Sequence, residues 1–475
     1  MPIFRLPDAK ERFAMGQERR KQIKRAEHKT WNVKDRRESP LALLDAATRG
    51  RIPALVALKK QLMAASPFGY YRGAVPVMAY DLSLVGNTGI RNQLCGDAHV
   101  RNLGAYAAPD GRLVFDINDF DETIVAPFEW DVKRMATSLI LAGRAAGGKN
   151  VACREAAAMF LDCYRRMMAM FSRMTVLDVA RFQVHRLQDV LPVQGILRMA
   201  ERATPMHTLL TLTEVKQSAA ASKGAKGAKA AKPKEGPPQT AERVFKSEPP
   251  TLTRVTGDMA AKVIGSLAKY TESLLPERRH FLAQYRPVDV AFKVVGTGSV
   301  GLRDYVVLLE GNSAKDPLFL QIKEETTSGY APYVSVSARK ERENQGRRVV
   351  EGERAMQLQS DPFLGWTEME GRDYLVRQLN DHKASINLRT LKPAGLLEYA
   401  AVCGEMLARG HARAGDSSMI AGYLGTSTRF DNAVVAFAET YADQTEVDWK
   451  QLVNSLKTTG KKIATKASKK AAKKN

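Results

Sequence analysis

Gly96, Asp97, His99 and Asn102 stand in one turn-prone run, and Asp116, Asp119 and Asp121 follow on and just after a short apolar strand, Leu113 to Ile117. A base-and-amide loop followed by a carboxylate cluster is what phosphoryl transfer from a nucleotide requires. One carboxylate orients or accepts the proton of the attacking hydroxyl, and an Asn and an Asp hold the metal that neutralises the phosphates. Asp97 is the expected catalytic base, and Asn102 and Asp119 are the expected metal ligands. Asp116, nearer the loop, is the alternate ligand. His99 is expected to brace the loop by hydrogen bonding, because the Asp already fills the proton-accepting role.

A second constellation lies far along the chain. Val288 to Val295 alternates as a strand and runs into Gly296-Thr297-Gly298-Ser299-Val300-Gly301; Tyr305 to Leu309 returns, and Leu318 to Ile322 carries Lys323. A lone G-x-G-x-x-G is equally well a glycine-rich hairpin. Followed by strand, turn, strand and an apolar-x-Lys, it predicts a loop whose backbone N–H groups (Gly296, Gly298, Ser299, Gly301) approach a triphosphate, with Lys323 adding a point charge. A strand and not a helix follows the last glycine, which separates it from the dinucleotide-binding turn.

The remaining elements are expected to position these two. Leu41 to Ala65 reads as two short helices broken at Pro53. Pro127 to Gly143 reads as a helix whose Asp131 accepts backbone N–H bonds from the Asp97 loop or caps its own helix. Arg72, beside two tyrosines, is expected to pack on aromatics or to approach a phosphate. A helix over about 347–359 supplies Glu351 or Glu353 as partner of Lys323, with Glu324 as a third candidate. Trp366 to Leu379 reads as two strands turning at Glu370-Gly371 and ending in a linker where an adenine would meet backbone groups. Leu396 to Arg413 is an amphipathic helix with His411 as a satisfied core residue.

Composition sets the limits. A net charge of +22 with pI ≈ 9.8 suggests an anionic partner. Much of the excess is local, since Lys457 to Asn475 holds eight lysines and no acid. That tail is expected to be disordered and to touch polyanions without specificity. Cys95, Cys153, Cys163 and Cys403 show no C-x-x-C spacing and read as thiols of a reducing compartment. No apolar run is long enough to span a bilayer, so a cytoplasmic protein without membrane contact is expected. Lys216 to Gln239 is a flexible basic insertion.

GDAHVRN resembles the G-D-x-H-x-x-N catalytic loop of aminoglycoside phosphotransferases and related small-molecule kinases, and Asp119-Phe120-Asp121 resembles their metal-binding D-F-G segment, with Asp121 where many kinases have Gly. From about Tyr71 to about Tyr441 the chain resembles an uncharacterised bacterial family, domain of unknown function 2252, itself kinase-like. The resemblance implies an α+β, bilobal protein-kinase-like fold that uses ATP and Mg2+ on a small-molecule or protein hydroxyl. A nucleotide-binding pseudokinase and nucleotidyl transfer by the same site are the alternatives.

Kinases place the glycine loop first and the catalytic loop later; here the order is inverted, which implies circular permutation. The expected divisions are a basic arm (1–38), a helical large lobe with the catalytic loop (39–212), a flexible insertion (213–250), a β-rich small lobe (251–392), helices completing the large lobe (393–456) and the Lys-rich tail (457–475). Gly415-Asp416 is a second Gly-Asp directly after a helix, where an unpermuted kinase would place its base, but no His and Asn follow it.

Overall fold

Proline decides where several of the early helices begin. The computed structural model describes residues 7–184, 190–216, 243–294, 296–334, 343–379, 384–387 and 393–472. After α1 (Ala9–Glu18), Pro40, Pro53 and Pro67 each stand in the first turn of a helix, where a missing N–H costs nothing. They start α2 (Pro40–Ala46), α3 (Pro53–Ala64) and α4 (Pro67–Gly73), and α5 (Val75–Ser83) follows. The break expected at Pro53 is present.

The next stretch forms β1 (Arg91–Leu94), β2 (Leu103–Ala107), β3 (Leu113–Ile117) and β4 (Ile124–Pro127), with β1 antiparallel to β4 and β2 to β3. α6 (Glu129–Ala145) and α7 (Asn150–Phe171) come next. Three shorter helices, α8 (Val176–Arg181), α9 (Leu191–Arg202) and α10 (Pro205–Leu212), lead to the two-stranded ribbon β5 (Thr213–Val215) and β6 (Arg243–Phe245). The insertion expected to be flexible over 213–250 is thus bounded by paired strands, and its residues 217–242 lie outside the described ones.

Alternation with a period of two then builds a six-stranded antiparallel sheet in the order β11-β12-β10-β9-β8-β7. Its strands are β7 (Leu252–Val255), β8 (Arg286–Lys293), β9 (Asp304–Glu310), β10 (Pro317–Glu325), β11 (Gly365–Met369) and β12 (Arg372–Gln378). Leu318, Leu320 and Ile322 of β10 point to one face, where α11 (Gly257–Gly265), α12 (Leu267–Ser273) and α13 (Pro276–Leu282) cover them with Val263, Leu267, Tyr270 and Leu282. Phe319, Gln321 and Lys323 point to the other. α14 (Gln345–Met356) lies between sheet and large core, with Val349, Val350 and Met356 buried in the latter.

A two-residue strand, β13 (Ala384–Ser385), joins the edge of β2. α15 (Pro393–Ala414) packs along α7, and α16 (Ser417–Leu424) and α17 (Arg429–Ala472) complete the large helical core. The fold is therefore mixed α+β. Among the described residues no helix is long and apolar enough to cross a membrane, and all four cysteines are unpaired and buried.

Both ends of the chain depart from expectation. Residues 8–38 are no solvated arm. α1 lies so close to α16 that a Cβ on Gly16 would come within 2.0 Å of Met419 O. Ile23, His28 and Trp31 are buried, and Arg36 is locked between Asp81 (Nε–Oδ1 2.8 Å) and Asp448 (Nη1–Oδ2 2.9 Å). A few spaced anchors suffice to dock a segment whose average composition is polar. At the other end the helix of α17 continues to Ala472, so most of the expected disordered tail is helical.

Candidate active site

The large lobe presents its chemistry from one buried helix. Residues 129–143 of α6 are all buried, although four of them are charged. Burying a charge is costly unless it is paired, and each has a partner. Glu129 accepts from Thr88 N (2.6 Å) and Thr88 Oγ1 (2.8 Å), and Lys133 lies 4.5 Å from the centre of the Phe437 ring. Asp131 and Arg134, one turn apart on one face, both reach the Gly96–Asn102 loop. Asp131 accepts the N–H groups of Cys95 (2.8 Å) and Gly96 (3.0 Å) and lies 3.3 Å from His411 Nε2, while His411 Nδ1 meets Tyr164 OH at 2.8 Å. Asp131 and His411 have the supporting places expected of them.

Arg134 carries no signal in the sequence. It donates from Nε to Asp97 Oδ1 (2.7 Å) and from Nη2 to Tyr71 O (3.1 Å), with its guanidinium 4.4 Å from the Tyr71 ring centre. The arginine stacked on Tyr71 is thus Arg134. Arg72 instead donates to His99 Nε2 (3.3 Å) and lines a cavity of about 1060 Å³. Asp97 lines the same cavity and keeps 16% of its side-chain surface exposed. His99 is fully enclosed; burial, then the charges of Arg72 and Arg134, push its pKa well below the usual value. It stays neutral and braces the loop, its carbonyl accepting Asn102 N (2.8 Å). Asn102 gives Nδ2 to Asp97 O (2.7 Å), so its amide oxygen is the acceptor side of the group.

The loop conformation needs glycine at one point. Gly96 has φ 82°, and a Cβ there would fall 2.1 Å from Glu122 O. The close approach brings the Asp97 loop against the Asp119–Glu122 turn.

Asp119, Asp121 and Glu122 also line the cavity, as do Gly296, Gly298 and Ser299 from the glycine-rich turn. Gly301 (φ 94°) closes that turn and gives its carbonyl to Ile52 N (2.7 Å). Ser299 Oγ donates to Asp121 Oδ2 (3.1 Å), and Lys323 Nζ pairs with the same oxygen. The two distant segments therefore meet. Burial would lower the Lys323 ammonium, but Asp121, Glu325 and Asp119 outweigh it and raise its pKa. Burial would raise Asp121, and Lys323 overcomes it, holding that carboxyl below the usual range. Asp119 is pushed up to about 6 by burial and by the charge of Asp121.

Asp116 is not at the cavity. Side chains alternate along β3, so it faces away from Phe115 and Ile117, is paired with Arg409 of α15 and accepts Ile117 N (2.8 Å). The alternate metal ligand is therefore corrected to a buried structural ion pair.

None of the three glutamates proposed for Lys323 is its partner. Glu351 binds Arg347 (2.7 Å), Glu324 binds Arg303 (3.1 Å) and Arg372 (2.8 Å), and Glu353 is buried on α14. The carboxylates beside Lys323 are Asp121 and Glu325 (3.7 Å). From α14 it is Arg348 that reaches the site, donating to Asp121 O (2.8 Å), Thr123 O (2.6 Å) and Thr326 O (2.9 Å). Asp416 likewise serves elsewhere, accepting Met419 N (3.0 Å) as the N-cap of α16 and pairing with Arg12 (3.0 Å).

Two further cations were invisible in the sequence because their partners lie over 200 positions away. Lys59 of α3 donates to Thr297 O (2.9 Å) and Gly298 O (2.6 Å), and Arg51 to Gly298 O (3.0 Å) and Val300 O (2.7 Å). Burial, followed by Arg51, brings Lys59 down to about 7.

The linker expected to receive an adenine differs as well. Leu379 N bonds Phe319 O (2.9 Å), and Leu379, Phe319, Val306 and Ala291 are covered by Leu209 of α10 and Phe245 of β6. Exposing both covering side chains would cost about 3–6 kcal/mol, against about 0.5–1.5 kcal/mol for each hydrogen bond a base could make. Residues 380–383, beyond this point, lie outside the described ones.

Among the described residues no three His, Cys, Asp or Glu side chains converge on one point. Asp121 Oδ1 is nevertheless buried with no hydrogen-bond partner while Asp119 is ionised. One or two carboxylates and ligand phosphates belong to the donor set that suits Mg2+, and Asp119 and Asp121 on the cavity wall fit it; Asn102, the expected amide ligand, is buried and is not among the cavity-lining residues.

The sequence profile of the family DUF2252, described as an uncharacterized protein conserved in bacteria, matches residues 51–455, and the chain belongs to that family. No curated protein and no solved structure matches it.

Proposed function

We propose that this DUF2252 chain is a phosphotransferase of kinase-like, circularly permuted architecture that moves the γ-phosphoryl group of a nucleoside triphosphate such as ATP to a hydroxyl acceptor. The observation that carries the reading is that Asp97, Asp119, Asp121 and the glycine-rich turn line one cavity, with buried Lys323 paired to Asp121 beside it, although they come from segments roughly 200 positions apart. Asp97, its Oδ1 held by Arg134, takes the acceptor's hydroxyl proton as that oxygen bonds to the γ-phosphorus. The bond from phosphorus to the bridging oxygen breaks, and the nucleoside diphosphate leaves. Mg2+, held by Asp119 and Asp121, would neutralise phosphate charge. Lys323 and the turn's N–H groups orient the phosphates.

The packing of α1 supports the permuted arrangement. α1 packs on α16, which directly follows α15, and the Arg12–Asp416 pair joins them. The first helix thus packs on the segment that directly follows α15, the helix that would ordinarily lead into a catalytic loop.

A nucleotide-binding regulator without transfer is favoured by one observation: Arg348 is what α14 brings to Asp121, and the carboxylates paired with Lys323, Asp121 and Glu325, come from elsewhere. Transfer of label from γ-labelled ATP to an acceptor or to water, in wild type, Asp97→Asn and Lys323→Ala, separates the two. Transfer lost in both variants supports the enzyme; nucleotide-dependent thermal stabilisation with no transfer in wild type supports the regulator.

A further inference from the structure

Gly296 to Gly301 is a turn of six residues with three glycines, and glycine loses more backbone freedom on folding than any other residue. Such a turn needs holding. At Gly296 and Gly298 there is little packing to do it: among the described residues, a Cβ on either would meet nothing nearer than 3.9 Å beyond its chain neighbours. What holds the turn is hydrogen bonding to its carbonyls, those of residues 297–301 all being engaged. Ser299 O accepts Leu302 N (2.9 Å) within the turn itself. The others are taken by the segment where α2 hands over to α3. Lys59 Nζ reaches Thr297 O and Gly298 O, Arg51 Nη1 reaches Gly298 O and Val300 O, and Ile52 N reaches Gly301 O.

Both cations are themselves fixed. Lys59 is buried, and Arg51 gives Nε to Ala47 O (3.2 Å) and N to Thr48 O (3.2 Å). Hydrogen bonds from charged donors are about twice as strong as neutral ones. Through its side chain the turn also reaches the carboxylates, Ser299 Oγ donating to Asp121 Oδ2 (3.1 Å). A trans peptide points its C=O and the following N–H in opposite directions. Fixing the carbonyls of Thr297, Gly298 and Val300 therefore fixes the N–H groups of Gly298, Ser299 and Gly301, which the phosphotransfer reading gives to the phosphates.

We infer that Arg51 and Lys59 are positioning residues for the triphosphate donor: from the α2–α3 junction they set the conformation of the glycine-rich turn by its carbonyls, without touching the reacting atoms. The inference rests on the phosphotransfer reading for its ligand, and on these hydrogen bonds alone for the holding of the turn.

The test uses the full-length protein with Lys59→Met, Arg51→Ala and Arg51→Lys. Lys59→Met keeps the bulk of the buried chain and removes the donor. Arg51→Lys keeps a point donor, which can serve because a single nitrogen of Arg51 holds both carbonyls. Without nucleotide, cleavage by proteinase K within residues 296–303, mapped by mass, is expected to quicken about tenfold in Lys59→Met and Arg51→Ala, with cleavage elsewhere unchanged. In calorimetry both variants are expected to bind Mg·ATP about tenfold more weakly. In the transfer assay KM for ATP should rise while kcat stays within about threefold. Arg51→Lys is expected to recover most of each loss. Unchanged cleavage at the turn, cleavage quickened equally throughout the chain, unmoved Mg·ATP affinity, or Arg51→Lys no better than Arg51→Ala would each overturn the inference while leaving phosphotransfer standing. Wild type that binds no triphosphate, with the turn loosened in the variants as expected, would instead overturn the phosphotransfer reading and leave the holding of the turn in place.

Discussion

Asp119→Asn is expected to exchange function for stability, with a pH signature. In the native protein the Asp119 carboxyl is pushed up to about 6 by burial and by Asp121; in the unfolded chain it titrates near 3.9. Above about pH 6 the native state must therefore hold a charge that the unfolded state carries freely. As pH falls from about 6 to about 4 the native state takes up the proton first, and the cost disappears. The interval between about 6 and about 3.9, at about 1.4 kcal/mol per tenfold in proton affinity, amounts to about 3 kcal/mol. That is a ceiling, because Asp119 is partly exposed at the cavity wall. The amide keeps the size and removes the charge, so the variant should be more stable than wild type by about 1–3 kcal/mol at pH 8, with the gap closing near pH 4. Urea unfolding followed by tryptophan fluorescence at pH 8, 6 and 5 measures this. A variant less stable than wild type at pH 8, or a gap that does not change with pH, would refute the electrostatic account of the site. In parallel, stabilisation by Mg·ATP should be lost in the variant.

Asp97→Asn should lower transfer by about 10²–10⁴-fold, the worth of a positioned general base, while nucleotide-dependent thermal shifts persist. Asp416→Ala should leave transfer intact and cost about 1 kcal/mol through the lost cap of α16. Arg36→Met should cost about 3–5 kcal/mol in urea unfolding, because it strands the buried carboxylates of Asp81 and Asp448. Gly352→Ala should destabilise by about 1–3 kcal/mol through overpacking, since its Cβ would fall 2.3 Å from Thr123 Oγ1. Gly195→Ala, in α9 with open space around it, should stabilise by about 0.5–1 kcal/mol.

What the sequence makes legible is what local rules dictate. Alternation marks β8 to β10 within a few residues, Pro53 marks a helix start, and Glu370-Gly371 marks the tight turn that the positive φ values of 53° and 70° bear out. Asp131 is legible through the resemblance to kinase-like proteins, which implies an Asp at the start of the helix beneath the Asp97 loop. Asp116 misleads because a carboxylate near a loop counts for nothing if strand alternation turns it to the other face. The partner of Lys323 is hidden because ion pairs are set by how two lobes meet, and Asp121 belongs to the other lobe. Arg134, Lys59 and Arg51 carry no motif at all. Leu209 and Phe245 look like the flanks of a linker, and only the assembled sheet shows which surface they cover.

The three carbonyls that Arg348 holds belong to stretches separated by about 200 positions, one running from Asp121 to Thr123 and one following β10. A planar fork bonded to all of them at once acts as a rivet: α14 cannot roll without dragging both stretches along. A binding partner pressing on the outward side of that helix would therefore be felt at Asp121 without approaching it, and the cleft has a mechanical handle some distance from its mouth.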